Sequence, residues 1–248
     1  ESDRSFLGKV YLILGSSLQG VSGDVPLSSS DYGFVGEMSS DSLGDSVASA
    51  GDVDGDGLDD ILIGATGVDG QFYNSGGAYL ILGSHLSTFG GDHMDIDISL
   101  ADQYFIGEDT GDNVGVSVAG AGDIDGDGLD DILIGAYQYF GSNNSMGKTY
   151  LFYGSNLTYE DTNIGTADHI FMGQDGDFSG GSVAGGGDID GDGLDDILIG
   201  ASLALQDEVQ VGKVYLLLGS SVIHHDTLVE LTQADVRIIG EEISGLLG

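Results

Sequence analysis

The stretch GDVDGDGLDDILIGA at residues 51–65 returns as GDIDGDGLDDILIGA at residues 122–136 and again at residues 187–201. Its first half places Asp on every second residue with Gly between, a pattern of ligand oxygens separated by flexible hinges. Its second half is a short Ile- and Leu-rich run bounded by Gly, which reads as a strand. A unit that recurs at this scale signals a repeat architecture, in which each copy buries its faces against its neighbours.

Two further elements keep a fixed place around it. GKVYLILGS begins at Gly8, GGAYLILGS at Gly76, GKTYLFYGS at Gly147 and GKVYLLLGS at Gly212; FVGE begins at Phe34, FIGE at Phe105, FMGQ at Phe171 and IIGE at Ile238. Each unit then reads as four strands: one at FVGE, a second at SVASAG, a third at DILIGA and a fourth at AYLILG. The runs ILIGA and YLILG are apolar at both odd and even positions, so each small sheet needs cover on both faces. Stacked blades meet that need, whereas a parallel α/β sheet would require amphipathic crossover helices that the Gly-, Ser- and Asp-rich connections do not offer.

With these residues in view, the units resemble FG-GAP repeats, the blade repeat of integrin α-subunit propellers and of bacterial surface proteins. The matching pattern runs through Gly44, Asp45, Ser46, Val47 and Ala48, then residues 51–65, with equivalents at residues 115–136 and 180–201. Where the family carries Phe before the first Gly this chain has Leu43, Val114 and Ser179, and where it carries Pro after Gly-Ala the chain has Thr66, Tyr137 and Ser202. The resemblance implies an all-β propeller of four-stranded antiparallel blades with calcium loops between strands. Blades are expected at about residues 31–100, 101–167 and 168–235, with partial blades at residues 1–30 and 236–248.

Composition fits one repeat-built domain. Gly occurs 45 times and Pro once in 248 residues, and 40% of the chain is apolar, which suits many tight turns between short buried strands. Acidic residues outnumber basic ones 42 to 5, for a formal net charge of −37. That balance excludes nucleic acid as a partner, since a phosphate backbone is bound by displacing counterions with Lys and Arg. There is no Cys, so neither disulfides nor thiolate metal sites hold the fold. No run is long and apolar enough for direct membrane insertion.

In each Asp loop the odd positions supply oxygen: Asp52, Asp54, Asp56, the carbonyl of Leu58, and Asp60; Asp123, Asp125, Asp127, Leu129 and Asp131; Asp188, Asp190, Asp192, Leu194 and Asp196. All-oxygen ligands without His or Cys select Ca²⁺, giving three sites. An EF-hand requires Glu at its twelfth position, and Ile63, Ile134 and Ile199 stand there instead. A metal-free solvated turn conflicts with the mutual repulsion of four clustered carboxylates. Asp59, Asp130 and Asp195 fall on the even position and are expected to face solvent or cap a turn.

Other recurrences carry structural expectations. Lys9, Lys148 and Lys213 read as edge lysines that block strand addition. Tyr11, Tyr79, Tyr150 and Tyr215 read as core between blades. Phe72, Tyr73, Tyr137, Tyr139, Phe140 and Tyr159 read as exposed loop aromatics, His224 and His225 as a surface pair, Asp92, Asp95 and Asp97 as a solvated connector, and Asn143 and Asn156 begin N-glycosylation sequons. No nucleophile elbow, HExxH helix or Cys nucleophile is present, so the chain is expected not to be an enzyme.

By resemblance, these features point to an extracellular or cell-surface module for adhesion or protein recognition, binding a protein or glycan ligand. Two alternatives stand beside it. One is a structural subunit of a surface layer or filament, self-assembled through its partial terminal blades; the other is an accessory domain of a secreted hydrolase.

Overall fold

The computed structural model of the chain describes residues 7–70, 72–89, 94–137, 146–206 and 209–241. It is all-β apart from short 3₁₀ turns and one four-residue helix at Gly219–Val222. Three sheets share one plan. The first runs Leu43–Gly51, Asp60–Ala65, Gly77–Ile81 and Gln103–Ile106, each antiparallel to the next. The second runs Val114–Gly122, Asp131–Ala136, Lys148–Phe152 and His169–Met172. The third runs Ser179–Gly187, Asp196–Ala201, Lys213–Leu217 and Val236–Ile239. The inner strand of each carries the same two register shifts, around its early Gly and just before its last.

A smaller N-terminal sheet holds only outer members: Lys9–Leu12 antiparallel to Tyr32–Val35, with Met94–Asp97 added in parallel. The same parallel addition recurs where Thr162–Asn163 joins Gln103–Ile106 and Leu228–Glu230 joins His169–Met172. Each repeat therefore lends a short strand to the outer edge of the sheet before it.

These pairings correct the order read from the sequence. The FVGE-type strand was grouped there with the SVASAG strand that follows it. In the structure it bonds to the YLILG-type strand that precedes it, through Tyr32↔Leu12, Phe105↔Ala78 and Ile238↔Val214 among others. Val236–Ile239 accordingly closes the third full sheet instead of opening a further one, and residues 242–248 lie outside the described residues.

The cores lie between sheets, as two-sided apolar strands require. Leu62, Leu80 and Ala50 of the first sheet meet Val118, Ile132, Ile134 and Tyr150 of the second. Leu133, Leu151 and Ile124 of the second meet Ile197, Ile199 and Tyr215 of the third. On its other face the first sheet sets Ile63, Tyr79 and Ile81 against Phe34 and Ile96 of the N-terminal sheet.

Inner strands approach so closely that side chains are excluded. A methyl group on Gly64 would overlap the carbonyl of Gly115, and one on Gly135 the carbonyl of Gly180. Ser46 and Ser117 tie the same places, donating to the carbonyls of Gly115 at 2.7 Å and Gly180 at 2.8 Å. Gly135→Ala should therefore force the second and third sheets apart and cost about 1–3 kcal/mol by overpacking. Gly15→Ala, in open space with an ordinary backbone, should stay within about 0.5 kcal/mol; urea unfolding of both variants checks the contrast.

Candidate metal centre

Each inner strand ends on a Gly with positive φ: 80° at Gly51, 77° at Gly122 and 65° at Gly187. The chain then turns through two more left-handed Gly residues per loop, at 76° and 87° for Gly55 and Gly57. Only Gly adopts this region without strain, so the carboxylates between are free to fold inward.

The first Asp of each loop organises the turn. Asp52 accepts from the N–H groups of Asp56 at 3.0 Å and Gly57 at 2.9 Å; Asp123 from Gly126 at 2.7 Å and Gly128 at 3.0 Å; Asp188 from Gly191 at 2.7 Å and Gly193 at 3.0 Å. The last Asp anchors it. Asp60 accepts from Val53 N–H at 2.9 Å with one oxygen and from Gly83 N–H at 2.8 Å with the other. Asp131 repeats this with Ile124 and Gly154, and Asp196 with Ile189 and Gly219. All three anchors are buried.

Around these turns one oxygen each of Asp52, Asp54 and Asp60 lies within 4.8 Å of the others. The same holds for Asp123, Asp125 and Asp127, and for Asp188, Asp190 and Asp196. The expected ligands Asp56, Asp131 and Asp192 fall outside these triads. Asp56, Asp127 and Asp192 each accept from the N–H of the Leu two residues on, at 2.8, 2.9 and 2.9 Å.

The donor set suits a hard cation. It is all carboxylate, and among the described residues no basic side chain pairs with any loop carboxylate. Burial, followed by crowding from the other loop carboxylates, pushes Asp131 up to about 8 and Asp60 up to about 6, against the pull of their backbone hydrogen bonds. Burial raises Asp125 as well, with repulsion from Asp127 and Asp123 adding to it.

Two of the even-position Asp residues reach beyond their own repeat. Asp130 sends its carboxylate to the N–H of Asp52 at 2.8 Å, and its own N–H donates to the Asp52 carbonyl at 3.1 Å. Asp195 makes the same two-way clasp with Asp123, at 2.9 and 3.0 Å. Leu129 and Leu194 lie over Gly55 and Gly126, and Gly154 and Gly219 sit against the carbonyls of Val53 and Ile124. Asp130 and Asp195 are thus half-buried joints between one Asp loop and the next. Asp59 is exposed and accepts no hydrogen bond from a described residue. The repeated Asp-Asp doublet was the available signal.

The remaining expectations divide. Tyr79, Tyr150 and Tyr215 are buried between sheets, and Tyr215 donates to Asp177 at 2.9 Å; Tyr11 is 38% exposed. The edge-lysine reading is corrected: Lys148 and Lys213 sit on central strands, covered by the outer FMGQ- and IIGE-type strands, and Lys213 is buried. Lys9 pairs with Asp95, and Asp97 caps the Ile98–Leu100 turn, so these acids are engaged rather than a loose connector. Phe72, Tyr73 and Tyr159 are exposed, and Tyr137 packs near Phe178 with ring centroids 6.4 Å apart. His224 is exposed and His225 half-buried, and Asn156 donates to Asp168 at 2.7 Å. Asp92, Tyr139, Phe140 and Asn143 lie outside the described residues.

The FG-GAP repeat model matches residues 43–81, 114–152 and 179–217. The chain carries three FG-GAP repeats. Each match spans the inner strand, the Asp loop and the next two strands, so the FG-GAP repeat begins where the structural sheet begins. Over 98 residues the chain is 39% identical to integrin alpha pat-2 of Caenorhabditis briggsae, covering 39% of this chain and 8% of that protein. Over 124 residues it is 38% identical to integrin alpha-8 of Mus musculus, covering 48% of this chain and 11% of that protein. The match spans about a tenth of the length of these curated relatives. Among the described residues no helix is long and apolar enough to cross a membrane.

The joint between FG-GAP repeats yields two expectations. Asp130→Ala leaves the Asp52 N–H without its acceptor and should cost about 1–3 kcal/mol, whereas Asp59→Ala should cost no more than about 0.5 kcal/mol; equilibrium denaturation separates them. The raised Asp60 and Asp131 favour the protonated acid in the folded state. In metal-free protein their contribution to stability is therefore fully present below the ordinary carboxylate range and is lost as pH climbs from about 4 to 8. Melting temperatures of dialysed, metal-free protein at pH 5 and pH 8 check the sign.

Proposed function

We propose that this chain is a calcium-stabilised, propeller-type module of an extracellular or cell-surface protein, acting in adhesion or protein recognition without catalysis. The observation that carries the reading is the threefold recurrence of a carboxylate triad on a rigid turn, each triad held within the loop of one FG-GAP repeat. The integrin relatives support the cell-surface setting.

In this reading Asp52, Asp54 and Asp60, Asp123, Asp125 and Asp127, and Asp188, Asp190 and Asp196 would hold Ca²⁺. The other odd-position oxygens, including those of Leu58, Leu129 and Leu194, would complete each site. The cation would supply the positive charge that the clustered carboxylates lack. The protein's own part is to fix the loop: the first Asp folds it, and the last ties it to the turn after the third strand. Rigid loops then display the exposed Phe72, Tyr73 and Tyr159, as loops on a fixed scaffold commonly carry recognition.

Calcium should raise the melting temperature of the intact chain, with about 2.7 kcal/mol per site at a hundredfold excess over Kd. The variant Asp54→Ala, Asp125→Ala, Asp190→Ala should lose that rise while keeping its fold in chelator. Calorimetry with and without calcium decides it; an intact protein whose melting ignores calcium would refute the metal role.

A further inference from the structure

We propose that the phenol oxygen of Tyr153 is a ligand of the cation in the second Asp loop, held ready for it by His169. The inference rests on the calcium reading and deepens it, because it makes the second site chemically unlike the first and third.

The pair occurs in one repeat of three. Leu80, Leu151 and Leu216 stand opposite Gln103, His169 and Val236 in the paired outer strands, so these positions are equivalent. Two residues on, Leu82, Tyr153 and Leu218 each precede the Gly whose N–H meets the anchor carboxylate. Only the second repeat sets a phenol and an imidazole there, and the two touch. Tyr153 Oη lies 3.0 Å from His169 Nε2, with the rings nearly perpendicular at 74°. Leu82 and Leu218 fill the same place with apolar atoms alone, so packing does not call for the hydroxyl.

Proton positions follow from the partners. His169 Nδ1 lies 3.2 Å from the carbonyl oxygen of Asp226, which can only accept, so Nδ1 carries the proton. Burial pushes the imidazole below its ordinary value and keeps it neutral. Nε2 is therefore bare and accepts the Tyr153 O–H. A phenol has a single proton to give, and with that proton committed to His169 its oxygen offers only lone pairs elsewhere.

Those lone pairs sit among the carboxylates of the second loop. Tyr153 packs against the cluster that contains Ile124, the residue between Asp123 and Asp125. Its own N–H donates to Asp168 at 2.8 Å, and the next N–H, of Gly154, to Asp131 at 2.9 Å. Burial first, then repulsion from Asp125, Asp131 and Asp168, pushes the phenol up. An oxygen with no free proton among carboxylates is relieved by a cation between them. Calcium takes about six to eight oxygens, of which the triad Asp123, Asp125 and Asp127 supplies three. A neutral phenol adds another without adding negative charge. The second triad is also the one that contains Asp127 in place of the anchor carboxylate found in the other two.

The test uses the full chain carrying Asp54→Ala and Asp190→Ala, which leaves the second loop intact, with Tb³⁺ as a luminescent stand-in for Ca²⁺. Excitation of tyrosine should give bright Tb³⁺ emission. Adding Tyr153→Phe should remove most of that emission, put one more water on the ion as read from lifetimes in H₂O and D₂O, and weaken Ca²⁺ binding about tenfold. His169→Leu should add the same water. His169→Gln should not, because Gln103 at the equivalent place makes one accepting and one donating bond. A merely structural tyrosine would change the melting temperature in chelator and leave the water count alone. An unchanged water count in Tyr153→Phe, whatever the emission, overturns the proposal and leaves the calcium reading standing. A parent chain that binds neither ion overturns both.

Discussion

A buried carboxylate with both oxygens committed to backbone N–H groups holds each repeat together. Asp60 grips Val53 in the Asp loop with one oxygen and Gly83 in the turn after the third strand with the other, and Asp131 and Asp196 do the same. A loop with three left-handed Gly residues would otherwise be costly to order. Fixing its two ends leaves the loop's own Asx turns to set the middle, and the carboxylate triad follows from that geometry. The arrangement has an electrostatic cost, visible in the upward push on Asp60 and Asp131, because a desolvated carboxylate has only backbone dipoles and no counter-charge among the described residues.

The same loops also join the sheets. Asp130 is one residue before the anchor of its own repeat yet serves the loop of the repeat before, and Asp195 does likewise. The adjacent pair thus divides its labour by direction: one carboxylate inward to its own turn, the next outward to a neighbour. Stability in such an array is a sum of repeat terms and nearest-neighbour terms. Here both kinds of term pass through two successive residues.

Much of this was written in local pattern. Strand positions, their two-sided burial, the inter-sheet place of Tyr79, Tyr150 and Tyr215, and the Asp-rich turns all follow from periodicity and Gly placement. Strand partnership was not, because a period of two fixes which face a residue takes and says nothing of which strand lies beside it. Tyr32–Val35 can satisfy its pattern on either side, and only the chain's path over the 3₁₀ turns sends it back to Lys9–Leu12. The partner of Asp130 was hidden for a related reason: it lies in a different repeat, so counting positions within one loop leaves only solvent or a local turn for its carboxylate. Lys213 looked like an edge residue because the strand that covers it, Val236–Ile239, comes from the following repeat.

The joint between repeats is made of unlike halves, and this gives the molecule a polarity. One half is a Leu, an Asp carboxylate and a Gly; the other is a Gly turn, an N–H and a carbonyl. The N-terminal end shows the first kind at Leu58 and Asp59. The C-terminal end shows the second at Gly187, Asp188 and Ile189, where Ile189 is 52% exposed although its equivalents Val53 and Ile124 are fully buried. Two like ends set face to face would oppose carboxylate to carboxylate, or donor to donor. Successive repeats therefore stack in one direction only, each passing its carboxylate back to the loop of the repeat before it.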